Sequence, residues 1–125
     1  MIHRFLALVL IAAFAVTLGN AQTAKKPSKI VGEVIDVVTY VTNGMKPNNA
    51  DRKALAESNA KVGNPLGILE KGTGKIYIIG KGQQGEDMVA RLVPYFGLKI
   101  FAVGKVFKRG GINLLMLSDI GKSVK

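Results

Sequence analysis

Lys29 to Val41 reads KIVGEVIDVVTYV, a run of β-branched residues too long for an ordinary single-faced strand. Ile30, Gly32 and Val34 fall on one face with Glu33 opposite, but Asp36 then lands on the face that had been apolar. A bulge near Val34 or Ile35 restores the alternation and hands the inner face to Ile35, Val37 and Thr39. A long first strand with a bend is what a small closed barrel requires, because one strand must then serve two sheets.

Downstream, Thr42 to Ala50 is a turn-rich loop broken by Asn43-Gly44 and Pro47. Asp51 to Val62 is built from helix formers, with Asn48 or Asn49 as the cap and Leu55 and Val62 as a thin apolar stripe. Two short strands follow, Leu66 to Glu70 and Lys75 to Ile79, joined by Lys71-Gly72-Thr73-Gly74. Gly80 to Gly85 is a flexible connector. Met88, Val89, Leu92, Val93 and Phe96 recur at helical spacing, so a second helix is predicted over 86–96, tightened near its end by Pro94 and stopped by Gly97. A last hairpin pairs 98–107 with 112–120 through Lys108-Arg109-Gly110-Gly111, leaving 121–125 as a frayed tail.

Upstream, Met1 to Arg4 is a basic start, Phe5 to Gly19 is apolar, and Gly19 and Ala21 are small residues at the minus-three and minus-one positions of a cleavage site. The expectation is a signal peptide over 1–21, cut after Ala21, because the apolar run falls short of the about 20 residues that a spanning helix needs. Residues 22–28 then form a mobile lead-in to a domain over 29–120. Cleavage removes the one histidine, His3, and lowers the +10 charge of the whole chain by the contribution of Arg4.

These elements predict a mainly β chain with two short helices. Its order of strand, helical insertion, strand, strand, helix, strand, strand resembles that of the OB-fold, a five-stranded Greek-key barrel. The resemblance rests on VGEVIDV (31–37), PLGILEKGTGKIYII (65–79) and GLKIFAVGKVFKRGGINLLML (97–117). Residues 38–69 are similar to a family of small exported bacterial OB-like proteins that carry cysteines and histidines in this first insertion, as a metal or redox site would require. The corresponding positions here hold Thr39, Asn43, Arg52, Leu55 and Asn59, none of them a soft ligand, so the resemblance implies a scaffold without that site.

Composition narrows the function further. With no cysteine, and no histidine after His3, neither Ser-His nor Cys-His catalysis is available, and the acids are too scattered for paired-carboxylate hydrolysis. No metal site, cofactor or catalytic residue is expected. The basic excess points to anionic partners. Candidate anion-binding residues are Lys71, Lys75 and Lys81 around one hairpin and Lys105, Lys108 and Arg109 around the other, forming one patch if the two hairpins share a side.

Tyr77, Phe101 and Phe107, interleaved with lysines, make a candidate aromatic face, although the same residues suit a second small core or a subunit contact. Thr39, Tyr40, Thr42, Asn43, Arg52 and Asn59 make a candidate pocket at the barrel mouth by analogy with ligand-bearing OB loops. The expected function is a periplasmic or secreted, non-enzymatic binding or assembly module of the cell envelope. Its expected partner is an envelope protein or an anionic polymer, with a homo-oligomer as an alternative. Export disfavours nucleic acid, and membrane contact is expected only through the signal peptide before cleavage. A degenerate relative of a metal-handling or redox accessory protein, now structural, is the alternative from another class.

Overall fold

The first strand, β1 (Ser28–Asp36), changes partner at Gly32. In the computed structural model, which describes residues 26–80 and 86–124, Ser28 to Gly32 pair with β4 (Ile100–Arg109) and Gly32 to Asp36 pair with β2 (Leu66–Glu70), both antiparallel. A Cβ at Gly32 would stand 2.0 Å from the Leu69 carbonyl oxygen, so only glycine allows two neighbouring strands to close on this point. The expected signal peptide over 1–21, residues 22–25 of the expected lead-in and Lys81 lie outside the described residues.

The remaining pairings complete the ring. β2 pairs antiparallel with β3 (Ile76–Ile79), β3 pairs parallel with β5 (Ile112–Lys122), and β4 and β5 form a long antiparallel hairpin. The strand order β1-β2-β3-β5-β4 closes on itself as an OB-like barrel. Between β1 and β2 stand α1 (Val37–Asn43) and α2 (Ala50–Lys61). Between β3 and β4 stand α3 (Met88–Leu92) and a 3-10 turn, Val93–Tyr95, with Pro94 at its start. The inward residues of the strands, among them Val34, Ile68, Ile100 and Leu115, pack into one core with Ala56 and Ala60 of α2 and with Leu92 and Phe96. Burying each of the large aliphatic side chains contributes about 1.5–3 kcal/mol.

Several sequence expectations are corrected. VVTYVTN is a helix, not the second half of a strand, because Asp36 caps it at one end and Gly44, at φ 74, ends it at the other. Thr39 therefore sits on a helix, and Ile35 is buried on the outer face of β1 beside Gly67 rather than facing the core. The insertion holds two helices rather than one.

A bulge does break the alternation, but in β5: Val103 faces Asp119 and Gly104 faces Leu117, leaving Ser118 as the extra residue. That extra residue lets Leu117 and Ile120, three positions apart, both point inward. Its free carbonyl accepts a hydrogen bond from Arg91 at 2.8 Å, and its hydroxyl donates to the Val103 carbonyl at 3.0 Å. Nor does the chain fray from 121, since Gly121 and Lys122 pair with Phe101 and Ile100 and the Ser123 amide donates to Lys99.

The Gly32→Ala variant should lose roughly 3 kcal/mol of stability, because the clash is with backbone rather than with a side chain that can move. A denaturant midpoint within error of the wild type would contradict this account of the partner change.

Candidate anion-binding groove

Asp36 is 2 % exposed and carries the polar centre of the insertion. Its carboxylate accepts from the Thr39 hydroxyl at 2.6 Å, the Asn59 amide at 2.9 Å and the Thr39 backbone N–H at 3.5 Å. Burial pushes its pKa up, but the donors Thr39, Asn59 and Asn64 outweigh burial and hold it below the ordinary 3.8. One carboxylate thus ends β1, starts α1 and ties down α2.

The predicted mouth pocket divides accordingly. Thr39 and Asn59 are turned onto Asp36, with the Asn59 amide also 3.4 Å from the Thr39 hydroxyl. Thr39, Arg52 and Leu55 line a cavity of about 10 Å³ with Asp36, room for no more than a water. Arg52 donates to Asn48 at 3.3 Å, Thr42 donates back to the Val38 carbonyl at 2.8 Å, and Asn43 accepts from the Met45 amide at 3.1 Å. Only Tyr40 faces a larger space. Beyond the small cavity shared by Thr39 and Arg52, these residues line no single pocket, because α1 turns successive side chains in different directions where the end of a strand and a loop were expected.

The predicted aromatic face divides too. Tyr77 is 6 % exposed and belongs to the core, where burial first and the Glu70 charge second push its phenol up. The sequence IYII (76–79) is apolar in both phases, so alternation alone could not show that Tyr77 faces inward; the pairing of Tyr77 with Ile68 decides it. Phe101 lies on the outer face across Gly121, with the Lys29 ammonium 5.1 Å from its ring centroid. Phe107 stands further along β4, toward the hairpin turn.

The strand directions place both hairpin turns and the start of β1 at the end of the barrel opposite the helices. Lys71 and Lys75 of one turn and Lys105, Lys108 and Arg109 of the other thus belong to the same end. Lys108 and Lys29 line a cleft of about 300 Å³ there, with Glu70 and Tyr77 in the same wall.

A larger groove, about 440 Å³, opens on the outer wall where β1 leaves β4. Gly32 and Leu69 form its floor, Tyr40 and Lys46 one side, and Lys71 and Lys99 the other. Glu33 and Glu70 also line it, but each is already engaged. The Lys46 ammonium is 2.6 Å from Glu33, which holds that amine above its ordinary value, and Glu70 accepts from the Thr73 hydroxyl at 2.5 Å. Lys71 and Lys99 line the same groove, and the interaction with Lys71, then burial, pulls the Lys99 amine down.

Sequence reasoning named Tyr40 and Lys71 in separate lists and missed Lys46, Lys99 and Glu33. The isolated acid Glu33 on an apolar strand was the available signal. Among the described residues no group of three or more His, Cys, Asp or Glu side chains is placed to hold a metal, and no helix is long and apolar enough to cross a membrane.

Because the folded pKa of Asp36 is depressed, its stabilisation is fully present above the ordinary 3.8 and is lost as pH falls through the folded value. Asp36→Asn should therefore be less stable by about 1–2 kcal/mol at neutral pH, the gap narrowing under acid. Urea midpoints measured at pH 7 and pH 3 check this, and a gap independent of pH would show that the charge is not what matters. No protein-family model, curated protein or solved structure matches this chain.

Proposed function

We propose that the chain is an exported binding module of Greek-key OB-like type, with the α3 segment between the third and fourth strands in the usual OB position, and that it takes an anionic ligand in the Lys46–Lys71–Lys99 groove. The observation that carries this reading is the convergence of Lys46, Lys71 and Lys99 on one groove. Ammonium groups lining one groove repel, and an oxyanion set between them would relieve that repulsion and accept from them. Lys46 is already neutralised by Glu33, which leaves Lys71 and Lys99 as the cationic pole of the groove.

Leu69, Leu98 and the Tyr40 ring add an apolar component, suited to a ligand with a carbon body behind its anionic group.

A second reading is favoured by one observation: Thr39, Arg52 and Leu55, three of the positions that the family resemblance assigns to a lost site, converge on one small cavity, and Asn59 bonds to Thr39. On this reading the insertion is now purely structural, and Thr39→Ala and Asn59→Ala act through stability alone.

Titrating inorganic phosphate and succinate into the isotope-labelled protein tests the first reading. Amide shifts are expected to concentrate at Tyr40, Gly72 and Lys99, to weaken as salt is raised, and to vanish in the Lys71→Glu, Lys99→Glu double variant. Shifts spread evenly over the basic surface, or unchanged in the double variant, would remove the groove as the site.

A further inference from the structure

The β4–β5 hairpin runs past both of its neighbours. β1 pairs with β4 only as far as Gly104, Val106 still packs on the core, and the Asn113 side chain donates to the Ile76 carbonyl at 3.2 Å, so 107–112 project beyond their neighbours as the tip of a two-stranded arm at the end opposite the helices. The arm closes in a two-residue turn, Gly110-Gly111, with both φ angles positive (59 and 79), as a tight hairpin of the right twist needs.

Its outer face is apolar and basic at once. Across the ladder Lys105 faces Met116, Phe107 faces Leu114 and Arg109 faces Ile112, so these six side chains share one surface. Phe107 is 41 % and Ile112 55 % exposed, while Leu114 and Met116 are half-buried. Lys108 extends from the other face, toward Lys29 and Glu70. From Gly104 to Leu117 the chain has three bases and no acid.

We propose that this arm docks the protein on an anionic phospholipid bilayer, with Phe107 and Ile112 entering the headgroup region and Lys105, Lys108 and Arg109 meeting the phosphates. Charge selects an anionic partner. A symmetric contact with a second copy would press one basic face against another with no acid on either to offset it, which repels. A polyanion in water would satisfy the bases and stack on Phe107, but would leave Ile112 exposed. A bilayer interface satisfies both, since apolar side chains gain by entering the acyl boundary while bases gain from the negative surface. This is a contact of the folded domain, separate from the groove and from the N-terminal apolar segment.

The chain has no tryptophan, so Phe107→Trp installs a single reporter on the arm, and Val62→Trp, on a residue 84 % exposed just after α2, is its control. With vesicles of phosphatidylglycerol and phosphatidylcholine, the Phe107→Trp emission is expected to shift to shorter wavelength and to be quenched by lipids brominated near the headgroup. Vesicles of phosphatidylcholine alone should leave it unchanged. Adding Lys108→Glu and Arg109→Glu should weaken the response roughly thirtyfold or more, with the far-ultraviolet dichroism retained.

An equal shift at Val62→Trp would overturn the proposal, because contact would then not run through the arm. No shift with anionic vesicles, or quenching by a single-stranded oligonucleotide in place of vesicles, would overturn it as well.

Discussion

The buried carboxylate of Asp36 is the interaction on which the architecture turns. A charge nearly out of water is costly unless its oxygens are filled, and Thr39 and Asn59 fill them from two different helices. The strand must therefore stop at Asp36, α1 must begin there, and α2 must lie close enough to donate. α1 then folds back over the outer wall, where Val37 approaches Gly67 and Tyr40 becomes one side of the groove. Without that turn Lys46 would not reach Glu33.

A second polar tie holds the segment before β4. The bulge at Ser118 leaves a carbonyl without a ladder partner, and Arg91 supplies the donor while its other nitrogen is 2.6 Å from Glu86. The Tyr95 hydroxyl is directed to the Ile120 carbonyl nearby. The helical segment before β4 is thereby held to β5 by hydrogen bonds as well as by Leu92 and Phe96 in the core. The ends differ in charge balance: bases and acids mix in the helical segments, whereas the hairpin end carries Lys29, Lys71, Lys75, Lys105, Lys108 and Arg109 with Glu70 as the acid in its cleft.

That division bears on how the groove and the hairpin arm work together. The groove runs along the wall between the two ends, with Tyr40 and Lys46 toward the helices and Lys71 toward the turns. Lys71 stands on the turn between β2 and β3, whereas the arm meets its surface through residues of β4 and β5. Each has its own set of residues, which keeps their tests separate.

Much of the fold was legible in the residues. The β2–β3 and β4–β5 pairings follow from short β-branched runs flanking glycine turns, and the barrel follows from one long first strand that must serve two neighbours. The misplaced acid at Asp36 was visible as well, but alternation offered a bulge as the simplest remedy. A cap by Asp36 on Thr39 competes with a bulge locally, and a distant donor, Asn59, completes it. Only the tertiary structure could supply that donor, just as only the closed register could turn Tyr77 inward and bring Lys71 and Lys99 to one groove. Local periodicity determines which residues alternate and where the chain turns. Which face is inside, and which charges meet across strands far apart in sequence, is decided by the closure of the barrel.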